Sequence, residues 1–232
     1  MAEIDAAGLT VREINAEIRR WIGDGCNEIT VRNPGASHNL AVAVLKPVRL
    51  RIAGSAGYYC GGLNDGASIE IEGSAGWGLA ESMMSGLVQV YGHAGSGAAA
   101  ALRGGTVVIH GDAAARLGVS MKGGEVIVAG DCGYMAGFMG QKGTLIVCGD
   151  AGDAFADSMY STVCYVAGKI ASLGNDAVIG SMENSEAEVL EKTLETHLGV
   201  KRPPVSAFRK IVSGRKLWNF DVREWRVWQE AL

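Results

Sequence analysis

An all-β solenoid is the fold class this sequence predicts: a right-handed parallel β-helix of about seven to eight coils, capped by an N-terminal helix and a helical C-terminal tail. Three observations carry the expectation. Gly54, Gly73, Gly92, Gly111, Gly130, Gly149 and Gly168 recur every 19 residues without a slip. Apolar residues stand two places before each of them (Ile52, Ile71, Val90, Ile109, Val128, Val147, Val166) and four places before (Leu50, Ile69, Val88, Val107, Val126, Leu145, Cys164). Glycine or alanine returns three places after the anchor and again seven places after, as in Gly57 and Gly61 or Gly76 and Ala80. A fixed period of this length marks a repeat architecture. The apolar pair at period two is a short strand with one face inward. One strand per 19 residues leaves no room for a ten-residue helix and its loops, and the L-x-x-L-x-L-x-x-N pattern of a leucine-rich repeat is missing. Parallel strands ~4.8 Å apart make equivalent residues stack in columns, and eight coils give a rod of roughly 38 Å.

Residues 10–22 read as a helix opened by a Thr10/Glu13 capping box, with Val11, Ile14, Ile18 and Trp21 or Ile22 on one face and Gly23 and Gly25 as the stop. A single amphipathic helix ahead of a solenoid is a cap for the first coil. Extending the period back to Gly35 makes Glu28 to Arg32 a degenerate first strand. After Gly168 the period fades. Ser185 and Glu188 suggest a second capping box, followed by the stripe Val189, Leu190, Leu194, Leu198 and the stop Gly199. Lys201-Arg202-Pro203-Pro204 is a break, and 206–213 reads as a short helix. The domain reading is therefore a capping helix over 1–27, a β-helix over 28–180 and a helical tail over 181–232.

The 232 residues carry a net charge of −4, with 34 Gly and only 4 Pro. Glycine this abundant, without a Gly-X-Y period, excludes collagen and Pro-rich disorder. No signal peptide is expected at Met1 to Ala7, and no stretch approaches the ~18 apolar residues of a membrane span. Five cysteines without CxxC spacing fit a reducing, cytoplasmic location. The slight acidity argues against nucleic acid as a partner.

Column position tests each candidate for chemistry. Cys60, Cys132, Cys148 and Cys164 fall at four different places around the coil, so stacking does not gather them into a metal or cluster site. The place after the anchor holds Ser55, Ser74, His93, Asp112, Asp131, Asp150 and Lys169. Paired carboxylates there could do acid–base work or hold a hard cation. Aspartate bonding to nearby backbone at a strand exit is the more ordinary reading. His110 reads as a surface residue. Gly95-Ser-Gly97 lacks the following helix that phosphate binding needs. Gly104-Gly105 and Gly123-Gly124 lack the G-x-D step of calcium-binding repeats. Met83, Met121 and Met159 share one column and read as core or interface filler.

The repeat resembles the glutamate synthase-like β-helix (GXGXG) family, which includes the C-terminal domain of the glutamate synthase large subunit and the third subunit of formylmethanofuran dehydrogenase. The segments Gly54-Ser-Ala-Gly-Tyr-Tyr-Cys-Gly-Gly-Leu-Asn-Asp-Gly66, Ser82-Met-Met-Ser-Gly86, Ser120-Met-Lys-Gly123, Phe138-Met-Gly140 and Gly214-Arg-Lys-Leu-Trp-Asn-Phe220 are similar to the stand-alone small subunit of three-subunit members such as N-methylglutamate synthase. The resemblance implies two partners, an amidotransferase-like subunit and an FMN-binding subunit with an iron–sulfur cluster. No Cys follows Met1 and no cluster-binding cysteine run occurs, so it implies a non-catalytic scaffold with no cofactor, metal or catalytic residue of its own. Partner contact is then expected at Tyr58 and Tyr59, which break the small-residue habit of their coil, at Asn64 and Asp65 in the turn Asn64-Asp65-Gly66, and at Trp218, Phe220, Trp225 and Trp228 in the basic, aromatic ending. That ending could equally fold on the rod itself. The rival readings are a β-helix subunit of a formylmethanofuran dehydrogenase or formyltransferase complex, and a free-standing β-helix enzyme using Asp112, Asp131 and Asp150.

Overall fold

The computed structural model describes residues 1–217. In chain order the elements are β1 (Ala2–Asp5), α1 (Val11–Gly23), β2 (Glu28–Arg32), β3 (Arg49–Ala53), β4 (Asp65–Ile71), β5 (Ser85–Val90), β6 (Thr106–Ile109), β7 (Lys122–Val128), β8 (Lys142–Val147), β9 (Ser161–Val166), β10 (Ala177–Gly180), α2 (Asn184–Leu198) and β11 (Arg209–Ser213). The described strands form one sheet in the order β1-β2-β3-β4-β5-β6-β7-β8-β9-β11-β10. From β1 to β9 every pair is parallel. This is the parallel β-helix that the period requires.

Register follows the repeat. Leu50 pairs with Ile69, Ile69 with Val88, Val88 with Val107 and Val107 with Val126, each a 19-residue step. These side chains and their partners two places on are fully buried. Each buried Val or Ile contributes about 1.5–3 kcal/mol. The first coil is longer: Glu28 pairs with Arg49, 21 residues on, so β2 is the degenerate strand but Gly35 is not the true equivalent of Gly54. Asn33 is, with a φ of 53°. A second wall comes from single parallel bridges that run Ala56, Ala75, Ala94, Ala113, Cys132, Ala151 and Ile170.

The anchor column is glycine because the coils touch there. A Cβ on Gly149 would lie 2.6 Å from both the carbonyl carbon and the oxygen of Gly130, and against the Asp131 carboxylate. The column seven places on has a different cause. Gly61, Ala80, Ala99, Gly118, Gly137 and Ala156 all have φ between 54° and 75°. That left-handed region costs an L-residue roughly 1–2 kcal/mol, which glycine avoids and alanine tolerates. Small side chains there are also enclosed, so both causes select Gly or Ala.

α1 starts as expected. Thr10 accepts from the Glu13 N–H at 3.3 Å, and Glu13 accepts from the Thr10 N–H at 2.8 Å. Ile14 and Ile18 are buried across the first coil. β1 adds a rung outside β2 that periodicity did not reveal. The C-terminal region is less helical than its sequence suggests. α2 begins at Asn184, with Glu186 accepting from the Glu183 N–H at 2.9 Å in place of the Ser185/Glu188 box. Residues 206–213 are not a helix: a single 3-10 turn, Val205–Ala207, leads into β11. β11 lies antiparallel between β9 and β10, pairing Ile211 with Cys164 and with Ile179. The period-two burial of Ile211 governs this segment.

α2 packs on the outer face of β6–β9. Leu190, Leu194, Leu198 and Phe208 cover Val108, Ile127, Ile146 and Tyr165. Lys210 Nζ meets Glu186 Oε1 at 2.5 Å and ties β11 to the helix.

The Gly149→Ala substitution is expected to cost about 1–3 kcal/mol, because the added methyl overpacks backbone that cannot move aside. Gly97→Ala is its contrast: its Cβ meets nothing within 4 Å and its φ is 71°, so only the left-handed strain is added. Chemical denaturation of the two variants checks the order, with Gly149→Ala the less stable.

Candidate functional site

The column after the anchor is a ladder that joins coils. Ser74 and His93 N–H groups donate to Ser55 Oγ and Ser74 Oγ, both at 3.1 Å. The Asp112 N–H donates to His93 Nδ1 at 2.9 Å. Asp131, Asp150 and Lys169 N–H groups then donate to Asp112, Asp131 and Asp150 Oδ1 at 2.9, 2.7 and 2.7 Å. Each side chain therefore serves the next coil rather than its own turn. Acceptors are what this place demands, which explains Ser, His and Asp together. One oxygen of each aspartate is committed to the ladder.

The thiols are dispersed as their columns imply. Cys60, Cys132, Cys148 and Cys164 are buried, and Cys26 is partly exposed with its thiol donating to the Glu28 carbonyl oxygen at 3.1 Å. Burial pushes Cys60, Cys132 and Cys148 up to about 12 and raises Cys164 as well. Among the described residues no group of three or more His, Cys, Asp or Glu could hold a metal ion. Met83, Met121 and Met159 are buried in the core.

The expected contact residues divide. Tyr58 and Tyr59 are 40% and 47% exposed. Asn64 is fully buried and does not reach the surface. Its amide donates to the Ala67 carbonyl at 2.9 Å and the Ser85 carbonyl at 3.2 Å, and its oxygen accepts from the Ala67 N–H at 3.2 Å. Asn64 is a corner clamp at the entry to β4, because a turn asparagine can satisfy backbone groups that the bend leaves unpaired. Asp65 is exposed and accepts from Ser85 Oγ at 2.6 Å. Trp218, Phe220, Trp225 and Trp228 lie outside the described residues.

Around Tyr58 the structure builds a ridge of stacked rings. His38 and Tyr58 stack with centroids 4.4 Å apart, and Tyr58 and Trp77 with centroids 5.3 Å apart. Trp77, 57% exposed, was absent from the expected contact set. It sits 19 residues after Tyr58, a column relation that would have pointed to it. The next residue in that column is Ser96, which leaves one face of the indole uncovered by a further ring. Glycines make the close stacking possible. A Cβ on Gly76 would lie 2.5 Å from Tyr58 Cδ1, and one on Gly95 2.7 Å from Trp77 Cδ1. Tyr59 lies over Gly78 in the same way, at 2.5 Å from Cδ1 and 2.6 Å from Cε1. Tyr59 itself has a φ of 58°, a left-handed setting that an aromatic residue rarely adopts.

Tyr59 separates two open depressions. One, of about 200 Å³, is bounded by Asn39, Val42, Leu63 and Ser82. The other, of about 450 Å³, runs over Gly78, Gly97 and Ala100 between Trp77 and Arg116. Glu81 borders both. Tyr, Trp and Arg grouped on a rigid wall are the residue types that anchor protein interfaces.

Comparison with known proteins places the chain. It is 47% identical over 224 residues to Protein GlxC of Rhizobium meliloti (strain 1021), covering 96% of this chain and 97% of that protein. The chain belongs to the GlxC family. No protein-family model matches it. A chain from the crystal structure of the formyltransferase/hydrolase complex FhcABCD from Methylorubrum extorquens, solved with methylofuran, shares the fold with a TM-score of 0.50 at 19% identity. The match spans 88% of this chain and 86% of that one. No helix among the described residues of this GlxC-family chain is long and apolar enough to cross a membrane.

Two outcomes follow from the site chemistry. Asp131→Ala removes the acceptor for the Asp150 N–H and is expected to cost about 0.5–1.5 kcal/mol, while Asp131→Asn, which keeps an acceptor oxygen, recovers most of it. Thermal melts of the two variants check the pair. In native buffer a thiol reagent is expected to modify Cys26 first, with Cys60, Cys132, Cys148 and Cys164 reacting only on unfolding. Peptide mapping after timed labelling checks the order.

Proposed function

We propose that this chain is a structural subunit of a three-subunit glutamate synthase-like enzyme of the N-methylglutamate synthase type, which converts methylamine and glutamate to N-methylglutamate and ammonia. In this reading it supplies no reacting side chain. It holds an amidotransferase-like subunit and an FMN-binding subunit at a fixed separation, so that the amine passes between their sites. FMN and the iron–sulfur cluster belong to the partner, and the assembly is cytoplasmic. Fixed placement is itself a catalytic contribution, because a reactant delivered in the right position avoids the entropy of a bimolecular encounter.

The observation that carries the reading is the aromatic ridge: Tyr58, Tyr59 and Trp77 stand exposed on a hydrogen-bonded solenoid wall. Exposed apolar rings of this size mark protein contact. The segment similarities in Gly54–Gly66 and the GlxC relationship over nearly the whole chain agree with a stand-alone β-helix subunit. The carboxylates that a free-standing enzyme would need are the acceptors of the inter-coil ladder.

The test is co-expression of the tagged chain with its amidotransferase-like and FMN-binding genomic neighbours. Both are expected to co-purify with it. Trp77→Ala with Tyr59→Ala is expected to weaken assembly by roughly 30-fold or more, the loss of ~2 kcal/mol typical of an interface anchor, with an unchanged melting temperature. A chain that purifies as a monomer and ignores both neighbours would overturn the proposal. Retention of formyltransferase or hydrolase neighbours instead would move it to the formyl-transfer class.

A further inference from the structure

α2 does not close completely on the sheet. Between its first turns and β7–β9 lies a cavity of about 250 Å³. The sheet lines it with Glu125, Thr144, Ile146 and Tyr165, which the register sets on three neighbouring rungs: Glu125 pairs with Thr144, and Ile146 with Tyr165. Thr144 and Ile146 stand two places apart and so share the outer face that α2 covers. The helix lines it with Val189, Leu190 and Thr193, and with Ser185 and Glu186 near its start. Ile146 and Leu190 are buried, so the cavity has an apolar side as well as a polar one.

Its polar groups divide into those already satisfied and those not. Glu186 has both carboxylate oxygens engaged, one with Lys210 Nζ at 2.5 Å and the other with the Glu183 N–H at 2.9 Å. Glu125 is held by the Thr193 hydroxyl, and no cation pairs with it among the described residues. Burial pushes its carboxyl up, against the pull of that hydroxyl. Tyr165 is only 7% exposed, and its hydroxyl has no hydrogen-bond partner among the described residues. Burial, and then the Glu186 charge, push this phenol up, so it stays a neutral hydroxyl. A buried phenol without a partner and a half-buried carboxylate without a counter-ion therefore line one cavity. Buried polar groups are normally met by protein, water or ligand, and a carboxylate withdrawn from water gains most from a cation.

We propose that this cavity binds a small primary alkylammonium ion, whose N–H groups donate to the Glu125 carboxylate and to Tyr165 Oη and whose alkyl chain lies against Ile146, Val189 and Leu190. The lining decides the charge of the ligand. None of its residues is Lys, Arg or His, so an anion finds no counter-charge there. A neutral alcohol would fill the apolar side and leave Glu125 unpaired. Size follows from the volume: a water takes ~30 Å³, so the cavity admits a chain of about four or five carbons. The site does not depend on the assembly proposed above, because it lies on the outer sheet face under α2 and not on the aromatic ridge.

Titration of n-butylammonium chloride into the full chain purified alone, followed by its amide NMR shifts, tests the site. Saturable shifts are expected, centred on α2 and β7–β9. Sodium butyrate, of the same length and opposite charge, and n-butyltrimethylammonium, which keeps the charge without N–H donors, are expected to bind roughly tenfold more weakly or not at all. The isosteric Glu125→Gln variant is expected to lower the affinity for n-butylammonium roughly tenfold or more at an unchanged melting temperature, and Tyr165→Phe to lower it about threefold. A purely structural Glu125 would instead move the melting temperature and leave the affinity alone. The absence of saturable shifts in the unaltered chain overturns the proposal without any variant. So does equal affinity in Glu125→Gln, or butyrate binding as tightly as n-butylammonium.

Discussion

The coil stack of this protein depends on how closely successive coils can approach at one corner. At the anchor glycines the backbone of one coil rests on the backbone of the last, and no Cβ can be inserted between Gly130 and Gly149. That approach brings the following N–H within reach of the acceptor side chain one coil earlier, from Ser55 through Asp150. It also keeps the alanine bridges of the second wall in register. A single lengthened corner would shift every later rung, so the 19-residue period is a mechanical requirement and holds without exception from Gly54 to Gly168. Irregular steps lie at the two ends of the stack: 21 residues from Glu28 to Arg49, next to β1 and α1, and 18 residues from Phe155 to Leu173 in the last coil.

A wall built this way leaves few places for chemistry. Columns that face inward are filled by Val, Ile, Leu and Met, and the column best supplied with carboxylates is occupied in joining coils. What the repeat does offer is position. A side chain that departs from its column is displayed at a height fixed by the stack, with little freedom to move. His38, Tyr58 and Trp77 use this to form a ring stack that an irregular loop would pay heavily to order. The left-handed φ of Tyr59 belongs to the same economy: its neighbours in the column share that setting, so the hydrogen-bonded stack enforces it.

Much of this was legible in the sequence, because a column is a sequence property. The repeat strands, their core rows and α1 follow from periodicity alone, and of the two readings of Met83, Met121 and Met159, core or interface filler, the structure shows core. Trp77 and the docking place of α2 could also have been found. Three places before the anchor, Arg51, Glu70 and Gln89 give way to Val108, Ile127, Ile146 and Tyr165, the residues that α2 covers. What period could not supply was direction. Asn64 looked like an exposed turn residue, but its amide is drawn inward by unpaired carbonyls at the corner. β1 and β11 join the sheet from outside the repeat, and their short apolar alternation has no nineteenth neighbour to announce it. β11 in particular runs antiparallel, which no residue in an otherwise parallel stack would suggest.

The distribution of cover along the rod then bears on how an assembly would use it. α2 occupies the outer sheet face of β6–β9, and its apolar partners there are already buried. The same face at β3–β5 is polar, with Arg51 paired to Glu72 and Gln89 donating to Tyr91. The exposed rings of Tyr58, Tyr59 and Trp77 stand instead on the turn wall of the early coils, beside the glycine floor of Gly78 and Gly97. In the scaffold role proposed above, a partner that docks on Tyr58, Tyr59 and Trp77, while α2 masks the apolar part of the sheet, would meet the chain from the turn wall. One direction of approach is what a positioning role requires, since a partner held in two orientations would present its active site in two directions.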